Sequence, residues 1–224
     1  MSKGIEKKEC VILLHGLART AFSMRPMEKA LQQAGYLTCN LNYPSRRYPV
    51  GYLAEKYIPL AMETCRRKTG GKKLQKIHFV THSMGGILVR YYLAGHVVAG
   101  LGRVVMLAPP NHGSEIVDKL GDKWWFRSFN GPGGCSLSTG PDSAPNSLGP
   151  ANFPVGIITG NQPLDPLFSR MVPRPNDGKV SVQSARLEGM SDFLVVPCGH
   201  TFIMMKKEVI RQVIFFLGQG KFAS

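Results

Sequence analysis

The sequence predicts an α/β fold: an open, mostly parallel sheet of about six strands with helices on both faces. Two observations carry this. Short apolar runs alternate with segments of helical period, the pattern of βαβ units. The runs are near-continuously apolar rather than alternating, as strands buried on both faces are, and they end in Gly, Pro, Asn or Ser. With 224 residues and 43% hydrophobic content, the chain is expected to form one domain over 1–224 that buries a sizeable core.

The candidate strands are Cys10 to Leu14, Leu37 to Leu41, Ile77 to Thr81, Val104 to Ala108, Val155 to Thr159 and Phe193 to Pro197. Met24, Met27, Ala30 and Leu31 recur at helical spacing before Gly35, and Leu53, Tyr57, Leu60, Ala61 and Thr64 before Gly70-Gly71. Both predict crossover helices. Pro59 falls inside the second and predicts a kink or a new start there. Ile87, Leu88, Tyr91 and Ala94 predict a third helix, and Met205, Val209, Val213 and Leu217 a C-terminal one. Residues 111–152 differ: rich in Gly, Pro, Ser and Asn, with Trp124, Trp125, Phe126 and Phe129 beside GPGG, they read as an irregular cap or lid insertion. A shorter irregular stretch, Gly160 to Gly178, is expected to share in covering a cleft.

A formal charge of +14 raises the question of nucleic acid. The basic residues fall in short pieces, Lys7-Lys8, Arg46-Arg47, Arg66-Arg67-Lys68, Lys72-Lys73 and Lys206-Lys207, not along one helix or between stacking aromatics. A solvated surface is therefore expected, with no nucleic-acid partner, and peripheral contact with an anionic membrane stays open. The charged start MSKGIEKKEC and the lack of a run of ~18 apolar residues predict a cytoplasmic protein. The five cysteines show no metal-ligand spacing and are expected to be reduced thiols that serve mainly in packing.

The sharpest motif is THSMGG, Thr81 to Gly86, between the strand IHFV and the helix ILVRYYLA. A nucleophile elbow needs a strand entering, a strained turn that lifts a serine above the sheet, and a helix leaving, with small residues on either side. Ser83 is thus the candidate nucleophile. Gly85 fits the pattern, whereas Thr81 stands where glycine is usual. The turn Leu14-His15-Gly16-Leu17 follows the first strand, and the backbone N–H of Leu17 is expected to converge with that of Met84 on an oxyanion, Gly16 permitting the close approach. His15 fits a structural hydrogen-bonding role better than a catalytic one.

A general base is expected after the last strand, and His200 stands there in VVPCGHTF. His78 lies inside a strand, His82 in the elbow and His96 past a helix end, leaving His112 in APPNHGSE as the rival. It precedes the candidate acid, against the Ser, Asp, His order of this architecture. Asp177, in an N-D-G turn after the fifth strand, is the preferred acid, placed to accept the histidine Nδ1–H. Asp165 in GNQPLDPL is the alternative.

LLHGL, NYPSR, THSMGG, LAPPN, NDGKV and GHTF occur in an order that resembles the α/β-hydrolase superfamily, specifically a small bacterial esterase or lipase-like branch, over almost the whole chain. The chain is similar to minimal lipases that lack the first antiparallel strands of the larger fold. The resemblance implies a carboxylic ester hydrolase with Ser83, Asp177 and His200 as the triad, oxyanion donors at Leu17 and Met84, and no cofactor or metal. Some lipases carry Ala where Thr81 stands. The substrate expected is a small-molecule ester, with an apolar acyl group if the aromatics of the cover line the cleft. The stretches Trp124 to Phe129 and Tyr43 to Tyr48 either build the acyl pocket or anchor the cover to the core, which makes Tyr43, Trp124, Trp125 and Phe126, with His15 and His112, candidate substrate-binding residues. Thioesterase, amidase and acyltransferase use the same residues. A non-catalytic binding protein on this fold and a basic protein docking on anionic membranes are the alternatives from other classes.

Overall fold

The computed structural model describes residues 9–70, 74–164 and 166–224. Asp165 and the pairs Lys7-Lys8 and Lys72-Lys73 lie outside them. Six strands form one sheet: β1 (Glu9–Leu14), β2 (Leu37–Leu41), β3 (Lys76–His82), β4 (Leu101–Leu107), β5 (Val155–Gly160) and β6 (Asp192–Val196). Their order is β2-β1-β3-β4-β5-β6, and every pairing is parallel. β4 begins at Leu101 rather than Val104, because Leu101 pairs with Ile77 across a register shift in β3.

The helices α1 (Arg25–Gln33), α2 (Val50–Lys68), α3 (Met84–Gly95) and α8 (Lys207–Gln219) cover both faces. The strands alternate between the two sides. Ile12, Leu14, Phe79, Val104, Met106 and Ile157 pack with Leu53, Ile58 and Ala61 of α2 and Ile87 and Leu88 of α3. Val11, Leu13, Val80, Val105, Leu107 and Ile158 pack with Met27 and Leu31 of α1 and Val209, Val213 and Phe216 of α8. Apolar neighbours on both sides explain the unbroken apolar runs at 10–14, 104–107 and 155–158, whereas β2 and β3 also hold Thr38, His78 and Thr81. Each fully buried side chain of this size contributes about 1.5–3 kcal/mol.

Pro59 does not interrupt α2, which runs unbroken from Val50 to Lys68. The proline removes one backbone donor, while Leu53, Ala54, Ile58, Ala61, Met62 and Cys65 hold the helix on the sheet on both sides of it. The thiol expectation is corrected at two positions: Cys10 of β1 and Cys65 of α2 form a disulfide. They are 55 residues apart in sequence, and the packing of α2 on β1 brings them together. Cys39, Cys135 and Cys198 are free.

Residues 111–152 are more ordered than the composition implies. They hold α4 (Glu115–Leu120) and α5 (Trp124–Cys135), the latter broken at Gly131, whose φ is 63°. Two short helices, α6 (Pro166–Ser169) and α7 (Val182–Ala185), flank the segment leading to β6. Buried Arg90 of α3 ties this region down, donating to Asn111 O at 2.9 Å and Gly149 O at 2.9 Å. Among the described residues no helix is long and apolar enough to cross a membrane.

Strand order fixes where a site can form. After β1 the chain moves outward to β2 and then returns to β3 on the other side of β1. The crevice beyond the carboxyl ends of β1 and β3 is therefore the topological switch point at which open α/β sheets bind ligands. Leu14 pairs with Thr81 in register, so the turn after β1 and the turn after β3 lie side by side.

Candidate active site

Ser83 joins β3 to α3 with φ 50° and ψ −122°, a backbone conformation rare for a residue with a side chain and costing on the order of 1–3 kcal/mol. The surroundings hold it there. Ser83 N–H donates to Leu107 O of β4 at 2.8 Å, and Gly86 N–H donates to Ser83 O at 2.9 Å. A Cβ on Gly85 would lie 2.8 Å from Leu14 O and 3.0 Å from His15 O, so only glycine lets α3 start this close to the end of β1. A Cβ on Gly86 would come within 3.3 Å of Thr81 Oγ1. The buried Thr81 side chain thus occupies space that the second glycine leaves open, which is how the elbow tolerates the departure from Gly. Met84 is the first residue of α3, so its N–H has no acceptor within the helix.

The turn after β1 packs against the elbow. A Cβ on Gly16 would fall 2.7 Å from His82 Nδ1 and 3.2 Å from Ser83 Cβ. Ala18 is held at φ 54°, and its N–H donates to Ser45 Oγ at 3.1 Å. Beneath the turn, His15 stacks on Tyr43 with ring centroids 4.1 Å apart, and the Tyr43 hydroxyl donates to His15 O. Burial pushes the His15 imidazole down to about 4, so it is neutral at pH 7.

His200 opens the turn after β6, and its Nδ1 lies 2.8 Å from Asp177 Oδ2. A carboxylate oxygen accepts, so the contact suits a proton on Nδ1 and leaves Nε2 as the ring nitrogen not bonded to the acid. The acid is fixed in turn: Asp177 Oδ1 accepts from Lys179 N–H at 2.9 Å and Val180 N–H at 2.8 Å, and Asp177 O accepts from His200 N–H at 2.9 Å. Asn176 pins the loop, donating to the carbonyls of Ser169, Val172 and Pro173 while its Oδ1 accepts from Gly178 N–H. Gly178, at φ 100°, supplies the positive φ that the N-D-G turn requires. His82 links the two halves of the site, its Nε2 bonding His200 O at 3.1 Å. Burial, then the neighbouring His200, keeps His82 well below the ordinary histidine range.

Ser83 and His200 open into one cavity of about 560 Å³, walled mainly by apolar residues, among them Leu17, Ile116, Phe126, Leu137, Phe168 and Val180. Of the residues that the sequence singles out, the structure brings Leu17, Ser83, Trp125, Phe126 and His200 to this cavity, with Asp177 bonded behind the histidine. Five others are not on its wall: Met84 is buried at the start of α3, and the remaining four are His15, Tyr43, His112 and Trp124. His15 and Tyr43 are buried under the β1 turn and prop it. His112 is exposed, and its backbone N–H is spent on Ser184 O. Trp124, at the start of α5, is 79% exposed.

Phe129, the end of the aromatic stretch offered as acyl pocket, also lines the cavity, whereas sequence reasoning missed Arg19, Ile116 and Lys179 as cavity residues. Ile116 belongs to the segment read as a cover, but with α4 unforeseen nothing fixed its facing. The shorter stretch Gly160 to Gly178 does contribute, through Phe168. Among the described residues no group of three or more His, Cys, Asp and Glu is placed to hold a metal ion.

No protein-family model and no curated protein matches the chain in sequence. Solved structures do match in fold. The mature form of the Bacillus licheniformis lipase BlEst2 superposes with a TM-score of 0.74 at 18% identity, over 96% of this chain and 92% of that one. Phospholipase PlaB of Legionella pneumophila, in complex with thio-NAD, gives 0.71 at 17% identity, over 93% of this chain but only 57% of its own length. A monoacylglycerol lipase of Paleococcus ferrophilus gives 0.60 at 14% identity, over 97% and 96%. The chain has the α/β-hydrolase fold.

Proposed function

We propose that the chain hydrolyses carboxylic esters, with Ser83 as nucleophile, His200 as general base and then general acid, and Asp177 orienting the imidazole. One observation supports this most: a serine on a strained strand-to-helix turn at the switch point shares a largely apolar cavity with a histidine whose Nδ1 is held by a buried carboxylate. Ser83 Oγ attacks the ester carbonyl and its proton passes to His200 Nε2. The alcohol departs with that proton, and water releases the acid from the acyl-enzyme. The N–H groups of Leu17 and Met84 receive the developing oxyanion, each contributing about 3 kcal/mol.

The wall formed by α4, α5 and Phe168 makes an apolar acyl chain the fitting occupant, with 111–152 as its cap. The lipase and esterase neighbours favour esters over amides or thioesters. A chain-length series of p-nitrophenyl esters tests this. Medium acyl chains should exceed acetate in kcat/KM, because the cavity has apolar wall for them to cover. Failure to turn over any member of the series would contradict the assignment.

A further inference from the structure

The apolar cavity accommodates the acyl half of an ester. Beyond Ala18 and Arg19, which line both spaces, lies a second, more open cleft of about 930 Å³. Its character is opposite. Arg19, Arg46, Arg47 and Arg127 line it, no Asp or Glu among the described residues does, and Asn42 adds a neutral polar group. None of the four guanidinium groups pairs with a carboxylate among the described residues.

The fold assembles this cleft through close backbone packing. A Cβ on Gly131 would fall 1.9 Å from Arg46 O and one on Gly133 2.6 Å from Ser45 O, so the glycines of α5 let it lie directly on the loop after β2. That contact brings Arg127 of α5 to the same space as Arg46 and Arg47. Two of the arginines are held by backbone: Arg46 Nη2 donates to Ser128 O at 3.2 Å, and Arg19 Nη2 donates to Thr201 O, just after His200, at 3.3 Å. Four like charges gathered without a counter-charge repel one another, and an oxyanion relieves that repulsion while accepting paired guanidinium hydrogen bonds.

We propose that this cleft is the subsite for the alcohol half of the substrate and that this half carries a phosphate. The inference rests on the esterase reading of Ser83. The acyl C–O bond breaks, the alcohol oxygen takes the proton from His200, and the phosphate leaves on the alcohol with its P–O bonds untouched.

The test compares two monomeric substrates with the same hexanoyl chain, the ester of glycerol and the ester of glycerophosphate. At low salt the wild type should favour the glycerophosphate ester by ~10-fold or more in kcat/KM, with the advantage shrinking as salt rises. Arg47→Gln/Arg127→Gln should bring the ratio close to unity, and Arg47→Glu/Arg127→Glu below it. Inorganic phosphate should compete with the glycerophosphate ester. A wild-type ratio of one or less, or a ratio untouched by the double variants, would overturn the proposal. So would inorganic phosphate changing turnover of the glycerol ester while the glycerophosphate ester has no advantage, since the cleft would then serve a free anion. If neither ester is cleaved, the esterase reading itself fails first.

Discussion

Ser83→Ala should abolish ester turnover, lowering kcat/KM by at least ~10⁴-fold, while the thermal midpoint stays close to that of the wild type. The separation of the two readouts follows from the local structure. The strained backbone at residue 83 is imposed by the Leu107 carbonyl, by Gly85 against the end of β1 and by Gly86 against Thr81. None of these contacts involves the serine hydroxyl, and alanine adds no atom to the crowded turn. What is lost is the hydroxyl of the elbow, which shares the cavity with His200. Retention of a tenth or more of wild-type activity would show that chemistry proceeds elsewhere.

Asp177→Asn should lower kcat by about 10³–10⁴-fold with little change in KM. The carboxylate makes two kinds of contact: Oδ1 receives two backbone N–H groups, and Oδ2 receives the His200 imidazole. An asparagine oxygen can keep the backbone pair, so the N-D-G turn survives. Its NH₂ then faces Nδ1 and favours the tautomer with the proton on Nε2, which blocks proton uptake from Ser83. Parallel kinetics on Asp165→Asn provide the control, and that protein should remain active. Loss in Asp165→Asn with retention in Asp177→Asn would move the acid role to Asp165.

The sheet was legible because its strands are buried on both faces, so that Val11 and Ile12, or Val104 and Val105, serve opposite cores and both must be apolar. The elbow was legible for a related reason, since a strand, a serine followed by Gly85-Gly86 and a helix are contiguous in the chain. Features that depend on contact between distant segments were not. The Cys10–Cys65 bond crosses a strand and a helix and has no spacing to announce it. The GPGG of α5 reads as a loop, yet its glycines are where the chain lies against Arg46, Ser45 and Leu17. Tyr43 and His15 carry the composition of a binding pocket, but which side of a turn an aromatic ring occupies is decided by tertiary packing, here a stack beneath the β1 turn. Arg46-Arg47 is exposed, as solvated charge would be, but that it shares a cleft with Arg19 and Arg127 was not legible because these are far away in sequence.

Active-site labelling with a fluorophosphonate, followed by peptide mapping, addresses the role of Ser83 without any assumption about the natural substrate. The expected result is a single covalent adduct on Ser83, formed rapidly by the wild type and far more slowly by Asp177→Asn. Absence of an adduct, or an adduct on any other residue, would contradict the assignment of Ser83 as the nucleophile.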